Sequence, residues 1–178
     1  FSFRALDNQT YSMLENKDAA RSARYSGCGN TVKADHTVGS RFILDSLRYW
    51  VSEMHVDGFR FDLASVMSRD KAGEPSDDPP ILWAIESDPV LARTKLIAEA
   101  WDAAGLYQVG SFIGDRFAEW NGPFRDDVRR FVKGDANTVG TLASRILGSP
   151  DIFVDDPQRE TNRSINFVTC HDGFTLYD

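Results

Sequence analysis

Arg60 and Asp62 stand two residues apart in HVDGFRFDLAS, His55 to Ser65, inside a run that otherwise reads as a strand. In an extended segment alternate side chains share a face, so Val56, Gly58, Arg60 and Asp62 point one way and Asp57, Phe59 and Phe61 the other. A guanidinium beside a carboxylate has two uses. It forms a structural ion pair, or it keeps a working carboxylate ionised. These residues alone leave both open. Two further segments lead into acids: KLIAEAW, from Lys95, carries Glu99, and SINFVTCHD, from Ser164, ends in His171 and Asp172. If these strands belong to a parallel barrel, their C-terminal ends face one rim and deliver three carboxylates to it. Two carboxyl groups about 5 Å apart, flanking a glycosidic bond, are what retaining hydrolysis requires. One attacks the anomeric carbon while the other, protonated, donates to the leaving oxygen, and a third acid can hold sugar hydroxyls.

The elements that position these acids alternate in type. From Thr37 to Met54, Phe42, Ile43, Leu47, Trp50, Val51 and Met54 recur at helical intervals, which predicts an amphipathic helix with Thr37 as its N-cap and Trp50 in the core. PPILWAIES reads as a second helix, closed by the turn signal Asp88-Pro89. A short strand is expected over Arg116 to Trp120. Helices are expected from Pro123 to Val132, with proline in the first turn, and from Thr138 to Leu147, followed by a last strand, SINFVTC. Strands separated by helices imply parallel α/β units. A (β/α)8 TIM barrel takes about 250 residues, and these pairs amount to roughly half of one. The expected fold class is therefore α/β, a partial (β/α)8 barrel, with residues 1–178 a fragment of a single catalytic domain.

Composition narrows the function classes. The chain has 178 residues, 42% hydrophobic and 26% charged, enough for a substantial core. A formal net charge of −7, without a basic block, argues against nucleic-acid or anionic-membrane partners. The apolar runs are too short to span a bilayer, and FSFRALDNQ does not resemble a targeting segment. Both ends read as cuts within a longer protein. Cys28 and Cys170 form no CxxC pair and are expected as free thiols, with Cys28 a small buried residue. His36, His55 and His171 lack metal-site spacing, so no structural metal is expected.

YSGCGNT lacks the third glycine of a dinucleotide fingerprint; Gly27 and Gly29 suit a tight turn, and Asn30 is positioned to bond backbone or a sugar. Trp101, Tyr107, Trp120 and Phe174 lie beside the strand ends, where aromatic faces stack on glucose rings, although aromatics are also ordinary core filler. Trp101 and Trp120 are the stronger candidates. Asp77, Asp78, Asp155 and Asp156 read as solvated loop acids, Asp57 and Glu119 as structural acids, and Arg125, Arg129 and Arg130 as the solvated face of a helix.

DGFRFDLA, LIAEAWD and NFVTCHDGFTL, in this order, resemble the segments that carry the catalytic triad of the α-amylase superfamily, glycoside hydrolase family 13. YSGCGN, LDSLRYWVSEMHVDGFRFDLAS and EWNGPFRDDVRRFVKGD resemble its isoamylase and glycogen-debranching branch, so the likeness covers nearly the whole chain. The resemblance implies a hydrolase of α-1,6 branch linkages in glycogen or amylopectin-type glucan, needing no cofactor. It makes Asp62 the nucleophile, Glu99 the general acid/base and Asp172 the transition-state stabiliser, with Arg60 the partner of the nucleophile and His171 of the bound sugar, both counted with the substrate-binding residues. It places the chain from the loop after the third barrel strand to just past the seventh. The family's earlier Asn-His segment is absent, so the remainder of the barrel is expected to be needed for a complete site and the piece alone to be inactive. The alternatives are α-1,4 hydrolysis or glucan transfer on the same scaffold, and a glucan-binding polypeptide without turnover. The implied compartment is the cytoplasm, or the plastid stroma for a plant source.

Overall fold

The computed structural model describes residues 3–15, 18–153 and 163–173. The expectations for Asp155, Asp156 and Phe174 lie outside them. The chain divides into two units: Phe1–Gln108 with Phe112–Phe117, and Val109–Ser111 with Ala118–Asp178. The elements run in the order α1 (Arg4–Tyr11), β1 (Leu14–Glu15), β2 (Asp18–Ser22), α2 (Thr37–Ser52), β3 (Gly58–Phe61), a 3-10 turn (Ala64–Ser68), α3 (Pro80–Ser87), β4 (Lys95–Ala98), β5 (Phe117–Trp120), α4 (Gly122–Lys133), α5 (Val139–Ile146) and β6 (Ser164–Ile165). No described helix is long and apolar enough to cross a membrane.

In the first unit β1 and β2 form a short antiparallel pair, while β3 and β4 pair in parallel with Arg60 opposite Ile97 and Phe61 opposite Ala98. Parallel pairing follows from the connection, because α3 and its flanking loops return the chain to the same edge. Gly58 opens β3 for a steric reason. A Cβ there would stand 2.6 Å from the Lys95 carbonyl oxygen, so only glycine lets β4 approach. Ile81, Leu82 and Ile85 of α3, with Leu96 of β4, are fully buried, and Phe117 meets Phe61 and Phe112 edge to face at 5.6 and 5.3 Å.

α2 matches the predicted helix except at its cap and its stripe. His36, not Thr37, is the N-cap: its Nδ1 accepts from the Val38 N–H at 3.2 Å, and Thr37 is already helical. Of the apolar stripe only Leu47 is buried. Trp50 is 47% exposed and packs on Tyr49, so its expected place in the core is corrected. The periodicity marks a face wider than the surface the rest of this unit covers. Cys28 is also exposed rather than buried, in a surface turn flanked by Gly27 and Gly29 at φ 72° and 125°.

The second unit pairs β5 with β6 in parallel, Glu119 opposite Ser164. β6 covers only Ser164–Ile165, much less than the strand expected over SINFVTC. Asn121 caps α4 by accepting from the Phe124 N–H at 2.9 Å, and its amide donates to the Ser149 and Ser164 hydroxyls. Gly134 closes that helix in the left-handed conformation. The neighbouring Glu119 is fully buried against Arg163 at 3.3 Å and accepts the Gly110 N–H at 2.6 Å, the structural role expected of it.

The register of β3 and β4 makes Gly58→Ala a test of close approach: it is expected to destabilise the fold by about 1–3 kcal/mol in urea unfolding, through forced separation of the strands. A second test concerns Asp88, after α3. Burial, the largest influence, pushes its carboxyl up, but the Arg48 guanidinium at 2.6 Å and the N–H groups of Val90 and Leu91 outweigh it and hold the carboxyl below its ordinary value. A depressed folded-state pKa contributes stability that is present above the unfolded value, about 4, and lost as pH falls through the lower folded value. Asp88→Asn is therefore expected to lower the unfolding temperature at pH 7 and to flatten the decline of stability with acid below about pH 4.

Candidate functional site

β3 and β4 are parallel and in register, so the residues that follow them emerge side by side. Asp62 comes directly after Phe61, and Glu99 directly after Ala98. Oxygens of the two carboxylates lie within 4.8 Å of each other. Arg60 serves both: one nitrogen donates to Asp62 Oδ1 at 2.5 Å and the other meets Glu99 Oε2 at 2.9 Å. The fork of a guanidinium suits this bridging, which an ammonium could not reproduce with the same geometry. The two acids differ in environment. The Asp62 side chain is 67% exposed and that of Glu99 is 1% exposed.

Glu99 is also tied to the chain that leaves β3. Its Oε2 accepts the Leu63 N–H at 2.8 Å, its carbonyl accepts the Ala64 N–H at 2.8 Å, and its own N–H donates to the Phe61 carbonyl at 3.1 Å. Leu63 sits at φ 43°, a left-handed conformation that a leucine adopts only when its surroundings demand it. Nothing in the sequence signals this. A leucine has no turn signature, and only the spatial neighbour Glu99 supplies the reason.

Trp101 follows the same strand end. Its ring is stacked on Tyr107 with centroids 6.0 Å apart and planes inclined by 11°. Asp102 fixes the loop between them, accepting the Ala104 and Leu106 N–H groups and pairing with Arg69 at 2.6 Å. Tyr107, the weaker sequence candidate, is thus the aromatic partner of the stronger one. Asn30 donates its amide to the Ser12 hydroxyl at 3.1 Å rather than to backbone. It lines a cavity of about 410 Å3 whose wall also includes Phe42, Phe61, Asp62, Leu63 and Val66.

The second unit holds the other candidates. His171 Nε2 lies 3.5 Å from Asp172 Oδ1, and both side chains are more than half exposed. They follow β6 through a loop instead of ending a strand, which corrects the expected placement. Trp120 packs on Phe167 at 4.8 Å and on His171 at 6.2 Å. Arg125 lies over the Phe167 ring and Arg129 donates to the Val168 carbonyl at 2.9 Å, so these two arginines hold the segment before His171 instead of forming a purely solvated face. Ligand atoms of Cys170, His171 and Asp172 lie within 4.8 Å of one another.

No protein-family model matches the chain. It is 52% identical over 178 residues to Isoamylase 3, chloroplastic, of Oryza sativa subsp. japonica, covering 99% of this chain and 23% of that protein. Against the glycogen debranching enzyme of Serratia proteamaculans (strain 568) it is 47% identical over 179 residues, with coverage of 99% and 26%. The chain spans about a quarter of the length of the curated relatives it matches. Among solved structures it is similar to a pullulanase complexed with maltotriose from Anoxybacillus sp. LM18-11, with a TM-score of 0.68, 28% identity, and coverage of 94% of this chain and 24% of that one. The α/β architecture with parallel strand pairs is accordingly that of part of a (β/α)8 barrel. With near-complete alignment to isoamylases and glycogen debranching enzymes at about half identity, the chain belongs to the isoamylase and glycogen-debranching branch of the α-amylase superfamily, glycoside hydrolase family 13.

Proposed function

We propose that the complete protein carrying this segment hydrolyses α-1,6-glucosidic branch linkages of glycogen or amylopectin-type glucan with retention of configuration, and that residues 1–178 are part of its single catalytic domain. The observation that carries this reading is the pair Asp62 and Glu99, one exposed and one buried, within 4.8 Å and sharing Arg60. So close an approach of two carboxylate oxygens is in keeping with the separation of about 5 Å between carboxyl groups that a nucleophile and an acid use in retaining hydrolysis.

Asp62, exposed and held by Arg60, is the nucleophile that bonds to the anomeric carbon. Glu99 protonates the departing glycosidic oxygen and then, as a carboxylate, takes a proton from the water that releases the sugar. Asp172 stabilises the transition state and His171 binds the sugar. Trp101, Trp120 and Asn30 contact further glucosyl units, with the remainder of the parent barrel completing the pocket. The chloroplastic names of the rice and Arabidopsis thaliana relatives support a plastid location for a plant source.

In the full-length protein, Glu99→Gln is expected to slow release of linear chains from amylopectin by about a thousandfold. Azide, which needs no base, should accelerate breakdown of the intermediate and give a glycosyl azide of retained configuration. An inverted product, or no response to azide, would move the acid/base role elsewhere. Asp62→Asn is expected to prevent trapping of any covalent glycosyl intermediate, read by mass spectrometry of the quenched enzyme. Cleavage of α-1,4 bonds alone by the wild type would favour the amylolytic alternative.

A further inference from the structure

The peptide N–H of Leu63 has no part in the reaction as described above, yet it points at the carboxylate assigned as acid. We propose that this N–H is a positioning group that fixes which oxygen of Glu99 carries the catalytic proton. The inference rests on the proposed role of Glu99.

Oε2 of Glu99 accepts a hydrogen bond from the Leu63 N–H at 2.8 Å and forms an ion pair with an Arg60 guanidinium nitrogen 2.9 Å away. Neither group can accept a hydrogen bond. A proton on Oε2 would stand against the cationic guanidinium and compete with the Leu63 N–H, whereas a proton on Oε1 leaves Oε2 as a carbonyl oxygen that still accepts that N–H. The acidic proton therefore resides on Oε1. In the glycosylation step it passes from Oε1 to the glycosidic oxygen. The electron pair of the breaking C1–O bond goes to that same oxygen, and a carboxylate pair of Asp62 forms the new bond to C1. Glu99 is left as a carboxylate, its new charge held on the side of Arg60 and Leu63.

The backbone is bent to provide this donor. Leu63 is held at φ 43° immediately after the nucleophile, and the next N–H, of Ala64, is bound by the Glu99 carbonyl at 2.8 Å. One residue thus receives two successive N–H groups of the turn, one on its side chain and one on its backbone. Such an arrangement orients a carboxyl plane as well as a single atom.

The test replaces Leu63 by leucic acid in the full-length protein, which exchanges the N–H for an ester oxygen and keeps the side chain. Rates are compared on a natural branched glucan and on an α-maltotriosyl fluoride, whose leaving group needs little protonation. Loss of the N–H is expected to lower the glucan rate about five- to tenfold more than the fluoride rate. Leu63→Gly, which retains the N–H and tolerates positive φ, is expected to keep the wild-type ratio between substrates whatever its absolute rates. Equal losses on both substrates in the ester variant, with Glu99→Gln still separating them, would overturn the role of Leu63 alone. If Glu99→Gln fails to separate them, the assignment of Glu99 as acid falls, and this inference with it.

Discussion

A carboxylate almost sealed from water must be met by donors, and the arrangement around Glu99 follows from that requirement. Removing such a charge from solvent costs several kcal/mol unless partners replace the lost hydration. Glu99 obtains them from Arg60 and from the backbone of the turn after β3, so the two strand ends become one construction. The parallel register of β3 and β4 makes this reachable, since it sets Arg60 opposite Ile97 and brings the two following acids out together. Gly58 in turn permits that register, because the neighbouring strand occupies the space a side chain would need. The charge on one buried oxygen is connected in this way to the absence of a methyl group four residues before Asp62.

Much of this was legible in the sequence. The alternation in HVDGFRFDLAS put Arg60 and Asp62 on one face, and their ion pair is present. The helices over residues 37–52, 80–87, 122–133 and 139–146 followed from apolar period and from proline and turn signals, with boundaries differing by one or two residues at most ends, although the cap of the first was misassigned to Thr37. What was hidden depends on contacts distant in sequence. Arg60's second partner lies 39 positions along, and Leu63's left-handed backbone has meaning only beside Glu99. Trp50 and Cys28 were misplaced for a related reason: residue type and period report a preference for burial, whereas burial requires another element to cover the position. α1, β1 and β2 escaped notice because they are short and carry weak periodicity.

The two units differ in how apolar their described interiors are. In the first, α3 and the strands bury aliphatic and aromatic side chains alongside the paired acids Asp88, Glu99 and Asp102. In the second, buried positions include Glu119, Asn121, Arg145, Ser149 and Arg163, tied by directional bonds. Arg145 pairs with Asp127 of α4 at 3.0 Å and with Asp151 beyond α5, and thus links the two helices to the following loop. Polar interiors of this type specify one arrangement strongly because each alternative leaves a donor or acceptor unmet.

The stacked Trp101 and Tyr107 rings have a consequence for the heat of any binding at that loop. Their relative orientation is set before a ligand arrives, by Asp102 gripping the intervening backbone and Arg69 gripping Asp102. A flat apolar ligand face laid on such a pair would immobilise few side-chain rotamers, so little configurational entropy is left to lose. The calorimetric record of that contact would be a negative heat-capacity change from buried apolar area, without the large opposing entropy that accompanies ordering of a loose loop.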